Sequence, residues 1–186
     1  MDVAIIDLET TGLDPIYDLI VEIGIVELNL LTGKTRVLFD SVVKEPLFGE
    51  EYRNSWIFEN SDLTFKEIQS APLFDDVITD VQDILSKYNI TAFNKSFDLG
   101  FIKARGINVP NELPCIMLTA TNILKIPFPR GVKKFKWPNC QEAWNYFFPN
   151  SYYIEKHRAR DDALHEAMIF FEIYRRGLLP VFEEIY

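Results

Sequence analysis

Cysteine is nearly missing from this chain, with Cys115 and Cys140 the only two in 186 residues. Two thiols make neither a disulfide framework nor a paired-thiol metal site, so the expectation is a cytoplasmic protein with both thiols reduced. Histidine is as scarce, at two. Positive charge is also short: 19 Lys and Arg stand against 28 Asp and Glu, a formal net charge of −9. Such a balance excludes a non-specific grip on a long polyanion, because the summed potential repels phosphate. Contact with nucleic acid therefore has to be local, for instance where divalent ions neutralise carboxylates and then attract phosphate. No apolar run approaches membrane-spanning length, and Met1-Asp2-Val3 lacks a basic leader. The first apolar run, Val3 to Ile6, is a strand's length and stops at Asp7. No membrane attachment is expected.

What the chain does have is apolar material, 48% hydrophobic and 14% aromatic, without repeats, linkers or low-complexity stretches. That is enough for one sizeable core and short for two, so a single domain over residues 1–186 is expected. Val3 to Asp7 reads as a buried strand ending on acidic residues. Leu19 to Leu30 and Thr35 to Val43 read as two more, joined by the tight turn Thr32-Gly33-Lys34. Lys44 to Asn60 has no clear period and is expected to run over the surface. Thr64 and Glu67 have capping-box spacing, and a helix from about Asp75 to Tyr88 carries Val77, Val81, Ile84, Leu85 and Tyr88 on one face. Thr91 to Phe93 reads as a strand, followed by a helix from Phe97 to Arg105 closed at Gly106. The stretch Cys115 to Ile126 fits either strand or helix. A helix from Pro138 to about Phe148 and a long one from near Ala159 complete the pass.

The chemistry sits in acidic residues. Asp7 and Glu9, two positions apart in a continuing strand, share a face, where two carboxylates repel unless a cation lies between them. Hard ions such as Mg²⁺ favour such all-oxygen surroundings. The flanks are specific: Asp7-Leu8-Glu9-Thr10-Thr11-Gly12-Leu13, then Glu22-Ile23-Gly24; later Asn94-Lys95-Ser96-Phe97-Asp98; and finally His157-Arg158-Ala159-Arg160-Asp161-Asp162-Ala163. In this order, and over nearly the whole chain, these segments resemble the three motifs of the DEDDh group of 3′→5′ exonucleases.

The resemblance implies an α/β, ribonuclease H-like fold, with a mixed sheet of about five strands flanked by helices. It implies that Asp7, Glu9, Asp98 and Asp162 hold two Mg²⁺ or Mn²⁺ ions and that His157 is the general base, a role suited to a side chain titrating near neutrality. His157 precedes the ligand by five positions in the family, which selects Asp162 over Asp161 and sets His157 in the loop before the helix. Thr10, Thr11 and Gly12 would hold the terminal nucleotide, and Leu13 would wedge against its base. Expected substrates are single-stranded DNA or RNA 3′ ends, with release of nucleoside 5′-monophosphates. A polymerase or other repair partner, or a silent binding module of the same fold, are the alternative roles. Phe93 and Met117 stand where many members carry His and Asp, a departure that bears on subfamily and substrate. The loop Arg130 to Trp137 mixes cations with aromatics and reads equally as a single-strand contact or as a solvated loop anchored by its rings.

Overall fold

The computed structural model describes residues 2–128 and 134–179. Strands β1 (Asp2–Thr10), β2 (Ile20–Asn29) and β3 (Thr35–Val42) form an antiparallel meander. Strand β4 (Asn89–Thr91) adds to the far side of β1 in parallel, giving the order β3-β2-β1-β4. The β2–β3 turn uses Gly33 at φ +69°, which only glycine adopts freely. Between β3 and β4 lie helices α1 (Trp56–Asn60), α2 (Phe65–Gln69) and α3 (Phe74–Lys87). After β4 come α4 (Lys95–Ala104), α5 (Ile116–Leu124), α6 (Cys140–Phe147) and α7 (Ala159–Arg175). None of these helices is long and apolar enough to cross a membrane.

Alternation along β1 divides the core. Val3 and Ile5 face a cluster built with α5, α6 and α7, whereas Ala4, Ile6 and Leu8 face one built with α3 and α4. Asp7 and Glu9 follow the odd-numbered set, so both carboxylates emerge on the α7 side. Cys115 and Cys140 are buried free thiols in that same layer.

Four strands are described where five were expected. The place beside β4 is taken by residues 111–113: Ile90 N donates to Asn111 O and Leu113 N to Ile90 O, both at 2.8 Å, with a single bridge between Ile90 and Glu112. Pro110 and Pro114 flank this segment, lack N–H groups and stop it from growing into a ladder. Strand β4 itself begins and ends two residues earlier than the apolar pattern indicated. Phe93 leaves the sheet because its N–H donates to Glu166 and its carbonyl accepts from Met117 N. The stretch left open between strand and helix is α5. Residues 44–60 are not a surface excursion alone: Phe48 and Ile57 are buried with Leu19, Val21, Leu63, Phe65 and Ile68 in a third cluster.

The Glu22-Ile23-Gly24 segment has two physical uses. Gly24 faces the start of α7 so closely that a Cβ would overlap the Ala159 carbonyl group and the Arg160 N–H. Glu22, two positions earlier on the same face, accepts from Ala159 N at 3.0 Å. Gly24→Ala should therefore cost about 1–3 kcal/mol or more, the usual penalty of overpacking a filled interior. Gly100→Ala, with open space around it in α4, should raise stability by about 0.4–1 kcal/mol. Urea unfolding of the two variants beside the wild type measures both, and equal small effects would contradict the close-approach account.

Candidate active site

Strand β1 outruns β4. The parallel pairing stops at Ile5 opposite Thr91, which leaves the Leu8 N–H at an edge without a strand partner. Asp98, in the first turn of α4 and 3% exposed, fills that place: its Oδ1 accepts from Leu8 N at 3.2 Å. The bond draws the motif on α4 against the strand that carries Asp7 and Glu9.

Helix α7 enters from the opposite layer. Asp162, 3% exposed, accepts from the Arg158 N–H at 3.1 Å and from the Tyr153 hydroxyl at 2.7 Å. A carboxylate oxygen of Asp162, one of Glu9 and a ring nitrogen of His157 all lie within 4.8 Å of one another. Asp161 forms a second group with Asp162 and His165, their ligand atoms within 4.8 Å of one another; its Oδ2 is buried without a hydrogen bond and lies 3.8 Å from Lys156 and 3.9 Å from His165. The two adjacent acids thus have different surroundings. His157 precedes the helix, in the left-handed region at φ +54°, which is uncommon for a side chain with a Cβ.

The next residue fixes that loop. The Arg158 guanidinium meets buried Glu22 in a two-pronged ion pair, with contacts of 2.7–3.1 Å, and reaches Asp62 at 2.9 Å. Planar pairing of this kind is more directional than a lysine contact. Behind Asp162, Tyr153 stacks on His165 at 3.9 Å between ring centroids and also touches Trp144. His165 is therefore part of an aromatic wall.

The acids strain against one another. Burial, then Glu166, Asp98, Glu9 and Asp162, pushes the Asp7 carboxyl well above the usual range, and Asp7 Oδ2 is buried without a hydrogen-bond partner. Burial, then Asp162 and Glu22, does the same for Glu9. Burial pushes Asp98 up to about 8 and Glu155 up to about 7. Glu166, one turn after Asp162 and 4% exposed, is raised by burial first and by Asp98 next. An orphaned buried oxygen among mutually repelling carboxylates is a donor set that fits hard divalent cations; the nearby Cys140 thiol is pushed up by burial first and by Glu166 next, which disfavours a thiolate ligand. Of these acids, Glu166 and Glu155 were not singled out in the sequence. The signal for Glu166 was its position four residues after Asp162, on the same helix face.

Beside the acids lies a cavity of about 470 Å³, lined by Leu8 to Leu13 together with Trp56, Ile57 and Phe97. Thr10, Thr11, Gly12 and Leu13 are thus brought together at its rim. The Thr11 hydroxyl accepts from Leu19 N at 2.9 Å, while the Thr10 hydroxyl donates to Gly12 O at 2.6 Å. Leu13 is 84% exposed and Trp56 55% exposed, both apolar surfaces facing water. The loop bearing Leu13 is held from α4: Arg105 donates to the carbonyls of Pro15 and Asp18 and pairs with Glu45. Of the basic loop, residues 130–133 lie outside the described residues; Phe135 and Trp137 are exposed, and Lys136 pairs with Glu142 at 2.7 Å.

The profile of the RNase T exonuclease family matches residues 4–170. The chain belongs to that family. A 3′-5′ exonuclease DinG of Staphylococcus aureus (strain USA300) is 28% identical over 190 residues, an alignment covering 98% of this chain and 20% of the relative. The chain thus spans about a fifth of the length of the curated relatives it matches. Among solved structures, the nuclease domain of 3′hExo, a DEDDh member bound to rAMP, superposes with a TM-score of 0.69 at 18% identity, covering 99% of this chain and 97% of that one. E. coli Exonuclease I in complex with a dA16 oligonucleotide gives 0.65 at 13% identity, covering 95% and 42%. At these identities the likeness carries the fold: a mixed sheet flanked by helices, of the ribonuclease H-like exonuclease type.

The raised carboxyls of this family member set a pH dependence. Unfolded aspartates and glutamates titrate near pH 4, whereas native Asp98 keeps its proton to about pH 8 and Asp7, Glu9 and Glu166 shift the same way. The native state then binds more protons than the unfolded one, so this contribution is full below about pH 4 and is lost as pH rises towards 8. Carboxyls shifted downward by arginines, such as Glu27 and Glu172, act on the acid side of this window. In EDTA the Tm should fall between pH 5 and pH 8, and Mg²⁺ or Mn²⁺ should restore most of it at the upper end. A flat thermal profile in EDTA, or no response to either ion at pH 8, would count against a shared charge cluster.

Proposed function

We propose that this chain is a divalent-cation-dependent 3′→5′ exonuclease acting on single-stranded DNA or RNA ends and releasing nucleoside 5′-monophosphates. The observation that carries the reading is the orphaned Asp7 oxygen among converging carboxylates, beside an apolar cavity. Asp7, Glu9, Asp98 and Asp162 would hold two Mg²⁺ or Mn²⁺ ions, which when bound stabilise charge on a phosphoryl group and lower the pKa of water.

The remaining work falls to the chain itself. His157, with a ring nitrogen within 4.8 Å of Glu9 and Asp162 oxygens, takes the proton from the attacking water at that nitrogen. Leu13, Trp56 and Phe97 receive the terminal base against apolar and aromatic surface, a contact that every base satisfies with its flat face. Sequence-indifferent trimming follows from such a wall. Thr10 to Gly12 line the cavity next to Glu9, where the sugar of a bound end would rest. Tyr153 and the Arg158 N–H orient Asp162. The cavity supports a need for a single strand, since it would take a base splayed from its neighbour. The buried, unpaired Cys115 and Cys140 suit a reducing cytosol, where we place the protein.

A silent binding module of the same fold would have no need to keep mutually repelling acids in its interior, where each lost partner leaves a cost.

Digestion of 3′- and 5′-labelled oligonucleotides, single- and double-stranded, DNA and RNA, with and without Mg²⁺ or Mn²⁺, tests the proposal. Mononucleotides should appear from the 3′ end only, and EDTA should abolish them. Full turnover in excess chelator, or rapid cleavage of closed single-stranded circles, would contradict the reading. Asp162→Ala should lose nearly all turnover, and Asp161→Ala far less. His157→Ala should slow the chemical step by about 10²–10⁴-fold with little change in binding in Ca²⁺; a loss confined to binding would remove His157 from the role of base.

A further inference from the structure

His157 has two neighbours of different kinds. On one side are the Glu9 and Asp162 carboxylates. On the other is the indole of Trp56, whose ring meets the imidazole edge to face at 4.8 Å between centroids and 79° between planes. Trp56 also lines the apolar cavity together with Leu8 to Leu13, Ile57 and Phe97. One side chain therefore touches both the cavity and the histidine.

Its mounting is firm at the base and free at the tip. Ile57, the next residue on α1, is 1% exposed in the third apolar cluster, whereas Trp56 itself is 55% exposed. The histidine is mounted in a related way: Arg158 is clamped to Glu22 and Asp62, while His157 takes a left-handed backbone conformation that its own sterics disfavour. The Trp56 ring meets the imidazole itself.

We propose that Trp56 is a positioning residue for His157: it orients the imidazole towards the acids and couples its placement to occupation of the cavity. A base lying in the cavity settles against the indole, and the indole bears on the imidazole. The inference rests on the exonuclease reading above and extends it, since it makes proton transfer answer to a filled terminal-base site.

The test separates ring from bulk. Trp56→Leu keeps apolar surface for the base and removes the aromatic edge; Trp56→Phe keeps an edge. In single-turnover digestion of a single-stranded oligonucleotide at saturating concentration with Mg²⁺, Trp56→Leu should lower the rate about threefold to tenfold, the population change that an aromatic pair of ordinary strength sustains. Trp56→Phe should recover most of it. In a His157→Ala background, Trp56→Leu should lower the rate no further, because coupled residues are not additive. A loss seen only in the half-saturating concentration, or a full additional loss without His157, overturns the proposal.

A second readout does not depend on turnover. With two histidines in the chain, the carbon-bound imidazole protons give two sets of NMR signals, assigned by His165→Gln. The His157 set should move in Trp56→Leu, and should respond to adenosine, which brings a base without phosphate or metal, in the wild type but not in that variant. A His157 set that stays put in Trp56→Leu, or an adenosine response that survives it, overturns the coupling. Failure of the nuclease reading would show separately, as wild-type protein that cleaves nothing, and the free-protein spectra would still decide the contact.

Discussion

Like-charge repulsion among poorly solvated groups is the constraint around which this molecule is arranged. Asp7 and Glu9 come from β1, Asp98 from α4, and Asp162 and Glu166 from α7; Glu9, Asp98, Asp162 and Glu166 are buried by the layers that carry them and Asp7 partly so. Left to themselves such groups would move apart or take up protons. They are kept together by contacts that are individually ordinary. Asp98 is tied to a strand edge through Leu8 N, Asp162 to a tyrosine and a backbone N–H, and Glu166 to Phe93 N. The close approach of α7 to Gly24 then closes the layer over them. Carboxylates so held are a donor set that would gain from a cation, which would offset their repulsion.

The neighbouring cavity obeys the opposite rule. Its walls are apolar, and two of its side chains, Leu13 and Trp56, offer apolar surface to water. A nucleotide has both kinds of surface, a charged phosphate and a flat base, and on the proposed reading the two halves of the site would match them separately. A chain of net charge −9 would then address a polyanion at the acids alone, through bound cations, and the rest of the contact would need no charge. Arg105 and Arg158, which would otherwise seem suited to phosphate, are occupied in holding the Leu13 loop and the start of α7.

Much of this was legible beforehand, for reasons that differ from residue to residue. The three motifs singled out acids and a histidine that the structure brings together, and His157 lies in a loop ahead of α7, where the five-residue step set it. Alternation along β1 put Asp7 and Glu9 on one face, and they lie there. Boundaries were harder. Strand β4 ends before Phe93 because Phe93 N answers to a side chain 73 residues away, a contact that no local pattern reports. A fifth strand was expected from the fold type and is reduced to a bridge by its flanking prolines. Residues 44–60 looked featureless since their apolar residues serve a small separate cluster with no single period. Trp56 was hidden in that stretch for the same reason. Glu166 was visible as an acid at helical spacing, yet an acid on a helix is commonly a solvated one, and only its depth distinguishes it.

The two anchors either side of His157 limit what substrate binding has to organise. Tyr153, buried and bonded to Asp162, ends the loop on one side, and Arg158, clamped to Glu22, ends it on the other. Only residues 154–157 lie between them. Restricting a backbone residue to one conformation costs roughly 1–2 kcal/mol, so a long lid would draw heavily on the binding energy of a single mononucleotide unit. A segment this brief, already closed at both ends, leaves most of that energy for the scissile group. It also sets a limit of another kind: any movement of the imidazole would be on a tether a few residues long, and its range would therefore be a matter of ångströms.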